Sequence, residues 1–393
     1  MTDGQEFRQV ARDWIERNFP PSLKGGQFVI RHSREELAAI PADERLWKQR
    51  MGEKGWSTPT WPVAYGGGGL SLQQADILAE EMARAGAFNP IGGLGIMMLG
   101  PTLLEYGTEE QKRQHIPPIV RGELEWCQGF SEPGAGSDLA ALRTRCDDMG
   151  DHFLVNGQKI WTSFAHLADW CFCLVRTDTS VKQQGITFLL IDMRTPGIDV
   201  RPIELINGVS HFCEVFLTDV RVPKANLVGR VNHGWEVAKR LLQHERSGLS
   251  ARRNVANVEQ GLAALARRYV GQDDEGRIRD GDLRARIVRL LMRQEAYRAT
   301  LAQRGAELEA GLPGSVPMAA LKNLGAGVAQ ELNELAVEIL GVAGTGEAGA
   351  GFADDELEIT SGWLYSKCLS IYGGSHEIQN NILAKRELGL PGA

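Results

Sequence analysis

Glu245 is the residue of this chain whose position most needs a chemical explanation. In RLLQHERSGLSA it shares a helical row with Ala238, Leu241, Leu242 and Leu249, while Lys239, Arg240, Gln243 and His244 point elsewhere. A carboxylate in an apolar row either finds a cationic partner or has its pKa raised from about 4.3 toward neutrality. The first outcome is an interhelical ion pair and the second a general base; the row alone leaves both open. Further upstream, Ser131-Glu132-Pro133-Gly134-Ala135-Gly136-Ser137-Asp138 is a Gly/Ser loop. Its hydroxyls and backbone N–H groups can come close to a polar ligand, although most such loops are only turns. Trp161-Thr162-Ser163 sets an aromatic plane beside two hydroxyls. An aromatic packed on its own sheet looks the same.

These residues need elements to position them. From the start to about Gly122 the period is helical, with Phe7, Val10, Ala11, Trp14 and Ile15 in one row and Leu72, Ala75, Ile77, Leu78 and Met82 in another. Between Glu123 and Gly229 the period switches to two, through WCQGF, FLV, KIWTSF, WCFCLV, ITFLLID, IDVRPI and CEVFLTDVRV. Asn156-Gly157, between HFLV and QKIW, reads as the turn of a tight hairpin. After Asn232 helices return over 237–269, 283–308, 316–340 and 377–388. Helices, strands, helices is an α+β order, because a parallel doubly wound sheet would interleave them. The expected parts are residues 1–122, 123–229 and 230–393. Gly344-Thr345-Gly346-Glu347-Ala348-Gly349 matches a dinucleotide fingerprint but follows a helical segment, so it reads as a loop.

Composition narrows the function classes. A net charge of -7 over 393 residues gives no general attraction to nucleic acid or to an anionic membrane. The longest apolar stretch, Ile91 to Leu104, is Gly-rich and broken by Pro101, so membrane insertion is not expected. The opening MTDGQEFRQVARDWIERNF has mixed charge, unlike a signal peptide, and the chain is read as cytoplasmic. Six cysteines without a Cys-x-x-Cys pair suggest neither a disulfide framework nor a metal site.

Four segments, GFSEPGAGSDL, NGQKIWTS, ADWCFCLVRTD and IYGGSHEIQNNILAKRELGLP, occur in the order and spacing of one family. The chain resembles the acyl-CoA dehydrogenases over essentially its whole length, and in look it is similar to bacterial two-subunit members such as the large subunit of pimeloyl-CoA dehydrogenase and to the steroid-CoA enzymes. The resemblance implies an N-terminal helical domain, a central β-barrel-like domain, a C-terminal helical bundle, and FAD at their junction. Position by position, it implies that Gln128, Phe130 and Ser131 lie along the flavin ring and that Trp161, Thr162 and Ser163 cover its other side. Gly136 and Ser137 are implied near the FAD phosphates or the substrate's phosphopantetheine. Ser375 and Glu377 match FAD contacts, Ser375 also suiting a helix N-cap. Arg246, Tyr372 and Gly373 match the substrate surroundings.

Many members carry their base as a glutamate after the tyrosine of the last motif, where this chain has Gly373 after Tyr372. Isovaleryl and long-chain members carry it in a Glu-Arg pair on an earlier helix, which here is Glu245-Arg246. The resemblance thus implies FAD-dependent α,β-dehydrogenation of an acyl-CoA, with Glu245 taking the α-proton and flavin N5 the β-hydride. It also implies reoxidation by an electron-transfer flavoprotein. Two motifs that reach a neighbouring subunit's FAD are missing. GQDDEGRIRDGDL stands where Arg-x-x-Phe-Gly is expected after Tyr269, and Glu338 stands where a glutamine opens the Gln-x-x-Gly-Gly motif, bringing negative charge toward a pyrophosphate. Hence a homo-oligomer and an α2β2 hetero-oligomer with a second, related subunit both stay open. So do a non-catalytic or half-site subunit and a flavin oxidase or monooxygenase.

Overall fold

A computed structural model describes residues 3–252, 256–349 and 351–391, with side chains at 4–244, 261–308, 310–349 and 351–391. The chain divides into two compact units, residues 1–204 with 209–244 and residues 205–208 with 245–393.

The first unit opens with helices α1 (Asp3–Asn18), α2 (Arg34–Ala38), α3 (Ala42–Lys54), α4 (Leu72–Ala85), α5 (Gly100–Tyr106) and α6 (Glu109–Arg121). The apolar row of α1 buries Ala11 and Ile15 against Trp47 and Met51 of α3 and Leu78 and Met82 of α4. Capping boxes start α4 (Ser71 with Gln74) and α6 (Thr108 with Gln111), where sequence places a Ser or Thr three residues before Gln. A π-helical turn, Gly95–Leu99, leads into α5.

Eight strands follow: β1 (Trp126–Gly129), β2 (Arg145–Asp148), β3 (His152–Ser163), β4 (Trp170–Arg176), β5 (Ile186–Asp192), β6 (Ile198–Ile203), β7 (Phe212–Pro223) and β8 (Leu227–Val228). They form one mixed sheet in the order β6-β7-β3-β2-β4-β5-β8, with β1 parallel to β4. Strands β4 and β5 are buried on both faces. Phe172, Leu174, Phe188 and Leu190 join the core shared with α5 and α6, while Cys171, Cys173, Leu189 and Ile191 face the sheet's own interior. The Gln111 amide donates to the carbonyls of Ala225 and Leu227 at 2.7 and 2.8 Å, tying α6 to the end of the sheet.

One expectation is overturned here. Asn156-Gly157 is not a hairpin turn; it lies inside the twelve-residue β3, which pairs with both β2 and β7. The glycine answers a close approach instead. A β-carbon at Gly157 would lie 2.7 Å from Thr144 Cα, and the β3–β7 register shifts at this point, as at a bulge.

Helix α7 (Gly234–Arg252) begins in the first unit, where Ala238 and Leu241 enter the core as their row predicts, together with Val237. The second unit contains α8 (Ala256–Tyr269), α9 (Gly281–Glu309), α10 (Met318–Leu340), α11 (Asp354–Ser366) and α12 (His376–Ile382). Leu262, Ile287, Leu290, Val328, Leu332 and Leu335 form its core. Gly344–Gly349 follows helix α10 rather than a strand, so the fingerprint there has no strand to open from. Among the described residues, no helix is long and apolar enough to cross a membrane.

Candidate active site

The loop after β1 and the end of β3 come together in the first unit. Gly129 is the last residue of β1, and the position has no room for a side chain, since a β-carbon there would meet the Cys171 and Cys173 sulfurs at 2.8 and 3.0 Å. Gln128 is half-buried on β1, and Phe130 is buried, its ring edge-on to Phe172 and Phe188. The Ser131 carbonyl then accepts from Ile160 N at 2.9 Å, so Ser131 lies beside the segment that carries Trp161. Glu132 and Ala135 exchange both backbone hydrogen bonds and close a tight turn, leaving Gly136 and Ser137 exposed. A cleft of about 320 Å³ beside this turn is lined by Pro133, Gly134, Arg143 and Gln158, among others.

Trp161 is unusual in two ways. Its φ is 59°, a left-handed conformation rare for a bulky residue, and its indole is 54% exposed, touching Phe212 edge-on at 6.1 Å between centroids. After its shift at Gly157 the β3–β7 ladder is regular to Lys159 opposite Val215, slips again over Ile160 and Trp161, and resumes at Thr162 opposite Cys213. Thr162 is buried, with no partner for Oγ1 among the described residues, and Ser163 is half-buried opposite Phe212.

The residues that join these two segments escaped the sequence reading. Lys159 is 1% exposed, and its Nζ donates to Glu132 Oε1 at 2.8 Å and to the Phe130 carbonyl at 3.2 Å. Glu132 also accepts from Arg143 N (2.6 Å), Thr144 N (2.8 Å) and Thr144 Oγ1 (2.6 Å). Burial alone would raise the Glu132 pKa; the Lys159 charge and these hydrogen bonds outweigh it and hold the carboxyl below its usual range. A signal was present in the sequence. Lys159 stands at the buried parity of β3, in step with Phe153 and Val155, where a lone lysine needs a partner.

In the second unit Tyr372, Gly373, Ser375 and Glu377 form one compact stretch at the start of α12. Ser375 is its N-cap, accepting from Ile378 N at 3.4 Å. Glu377 sits in the first turn, where the helix's own amide and Ser375 lower its pKa. Gly373 and Gly374 have φ of 65° and 88°, and the buried Gln379 donates to the Gly373 carbonyl at 2.8 Å. The side chains of Glu245 and Arg246 lie outside the described residues. Both departures from the family pattern have local partners. Asp273 accepts from the amides of Glu275 and Arg277 and pairs with the Arg277 guanidinium at 2.8 Å, closing the loop after α8 on itself. Glu338 is not a bare negative charge, since both its oxygens pair with Arg286.

The donor set around Ser131 and Trp161 suits a flavin dinucleotide: an exposed aromatic plane for a fused ring, and a turn with open glycines and the exposed Ser137 hydroxyl for phosphate. Three family models match in succession: the acyl-CoA dehydrogenase N-terminal domain over residues 2–123, the middle domain over 127–220 and the C-terminal domain over 232–388. Acyl-CoA dehydrogenase IpdE1 of Mycolicibacterium smegmatis is 37% identical over 100% of this chain and 99% of its own. The ChsE4-ChsE5 complex from Mycobacterium tuberculosis contains a chain 30% identical, at a TM-score of 0.75 over 100% of this chain and 99% of that one. The Tcur3481-Tcur3483 steroid ACAD is 28% identical, at a TM-score of 0.76 over 100% and 99%. The chain belongs to the acyl-CoA dehydrogenase family and is an FAD-dependent oxidoreductase of that family.

Proposed function

We propose that this chain performs the α,β-dehydrogenation of an acyl-CoA thioester in the cytoplasm, with Glu245 as the base that removes the α-proton. The observation that carries the choice of base is the backbone at Gly373. A glutamate there, the arrangement of many members, would have to adopt a φ of 65°, which residues with a β-carbon rarely do. Glu245-Arg246 is then the family motif left to supply it, one helical turn after Leu241 and Leu242 in the sequence row. Bound FAD supplies the redox chemistry by accepting the β-hydrogen as hydride. Gln128, Phe130 and Ser131 would flank its ring on one side and Trp161, Thr162 and Ser163 on the other. Gly136, Ser137 and Ser375 would meet its phosphate-bearing part, and Glu377 would contact the same FAD elsewhere. Ser137 would also border the thioester, with Tyr372, Gly373 and Arg246. Glu245 would hold the abstracted proton on its carboxylate while these contacts keep substrate and base aligned.

For the assembly we propose an α2β2 form with a second acyl-CoA dehydrogenase-like subunit, discharging electrons to an electron-transfer flavoprotein. The self-closed loop at Asp273 and the Glu338–Arg286 pair favour it, because neither is free to reach a neighbour's FAD without first breaking its own contacts. The ChsE4-ChsE5 likeness points the same way.

The test is the FAD-to-chain ratio of the chain alone and with its second subunit, then anaerobic addition of acyl-CoAs from short linear to polycyclic. Flavin bleaching in wild type and a loss of about 10²- to 10⁴-fold in the bleaching rate in Glu245→Gln is the expected result. Equal bleaching in Glu245→Gln sinks the base, and full FAD content in the chain alone sinks the half-site arrangement.

A further inference from the structure

We infer that Lys159 is a positioning residue: with Glu132 it latches the Ser131–Asp138 turn to the strained Trp161 segment and so fixes the two protein surfaces that hold FAD. The inference rests on the flavin reading of those surfaces, but the latch itself is a feature of the bare chain.

Three observations carry it. The first is connectivity. The Lys159 ammonium binds the loop twice, through the Glu132 carboxylate and the Phe130 carbonyl, and the bond from Ile160 N to the Ser131 carbonyl adds a third tie next to it in sequence. Glu132 in turn grips the amides of Arg143 and Thr144, so loop, β3 and the approach to β2 meet at one carboxylate. The second is position. Lys159 is the last regular rung of the β3–β7 ladder before the slip, and Trp161, with its φ of 59°, stands two residues later. Left-handed backbone at a bulky residue persists only where the surroundings over-determine it. The exposed indole has one aromatic neighbour among the described residues, Phe212, while the backbone is tied on either side: the Lys159 rung and Ile160 bond before it, the Thr162 rung after it. The third is chemistry. A buried ion pair is poor evidence for stability, since packed apolar residues often replace one at no loss; geometric specificity is the better-attested return. Here the Glu132 carboxylate accepts from Lys159 on β3 and from Arg143 and Thr144 before β2, so the turn that carries it is tied to both.

The double variant Lys159→Met/Glu132→Gln removes both charges together, so no uncompensated ion is left behind. Hydrogen exchange of the FAD-free chain reads the latch directly. Amides in 131–136, 143–144 and 160–163 are expected to exchange at least tenfold faster than in wild type, with β4 and β5 unchanged. FAD titration by flavin fluorescence, run in the assembly that holds flavin in wild type, is expected to show at least tenfold weaker binding. Bound flavin in the variant is also expected to fluoresce more brightly, because the Trp161 indole no longer sits at a fixed distance to quench it.

Unchanged exchange at 131–136 and 160–163 overturns the inference. So does a double variant that fails to fold or loses protection across the whole sheet, since the pair is then a general structural element. FAD affinity within twofold of wild type, with the latch amides freed, overturns the link to FAD. A wild-type chain that takes up no FAD in any assembly defeats the flavin reading separately, while the exchange result still decides the latch.

Discussion

Glu81, between α1 and α4, and Glu132, after β1, are buried carboxylates of the first unit whose surroundings differ in kind. Glu81 is 2% exposed and meets three arginines, Arg8, Arg12 and Arg84, at 2.7–3.0 Å. Those guanidiniums are partly exposed and keep much of their own hydration. The hydrogen bond from Arg12, against the opposing effect of burial and with Arg84 and Arg8 assisting, lowers the Glu81 pKa to about 2. Glu132 meets one ammonium that is itself buried, and takes the rest of its bonds from backbone amides and a hydroxyl. The first arrangement staples two helices with redundant, solvent-backed cations. The second has no redundancy, and each group depends on the other to be tolerable inside the sheet. Redundancy suits a packing contact, and mutual dependence fixes one geometry.

The largest predicted effect follows from that dependence. Glu132→Gln removes the charge that faces the Lys159 ammonium and is expected to lower stability by about 3–5 kcal/mol, as is Lys159→Met for the opposite charge. Combining Lys159→Met with Glu132→Gln is expected to recover most of the loss. Thermal unfolding of the three FAD-free variants tests this. Additive losses in the double variant would mean that the two groups do not depend on each other, and the contrast with Glu81 would collapse.

At Glu81 the effect is smaller and carries a pH signature. Glu81→Gln is expected to cost about 2 kcal/mol at pH 7, in the range of hydrogen bonds to charged groups. Because the folded pKa lies below the unfolded one, the carboxylate's contribution is complete above about pH 4.5 and fades as pH falls toward 2. The gap between wild type and Glu81→Gln in urea midpoints should therefore narrow between pH 5 and pH 3. A gap independent of pH would assign the loss to packing and not to charge.

The sequence made these two regions legible to different degrees. Helical rows such as Ala11, Ile15, Leu78 and Met82 were visible because one face of each helix is apolar and that face is what packs. The strand segments were visible from their alternation, but Asn156-Gly157 misled, since the glycine there serves the close approach of Thr144 within a continuous strand. Helix α11 has no place in the helical periods read from the sequence because it follows a glycine run, although Asp354, Asp355 and Glu356 are the acids a helix N-terminus attracts, and Glu356 accepts from Ala353 N. At the site, Ser131 and Trp161 were recognised as motif members. The bond between their segments was not, because Glu132 and Lys159 sit in separate motifs 27 positions apart and only the sheet brings them together.

The smallest predicted effect is the sharpest check on the strained side of the comparison. Replacing a packed aromatic by glycine normally costs about 3–5 kcal/mol or more through lost burial and cavity formation. At Trp161 only about half of that burial is lost, because the residue is 54% exposed. Glycine also relieves the left-handed strain, of order 1–3 kcal/mol, while adding back roughly 0.5–1 kcal/mol of unfolded-chain entropy. The two backbone effects nearly cancel against the modest contact with Phe212. Trp161→Gly is therefore expected to leave the FAD-free chain within about 1 kcal/mol of wild type. FAD should bind more weakly, and its fluorescence should be less quenched. A stability loss above about 2 kcal/mol would show the indole to be part of the core. The left-handed turn would then be held by the side chain rather than by the Lys159 rung and the Ile160 bond, and the division between a fixed backbone and a free ring would have to be given up.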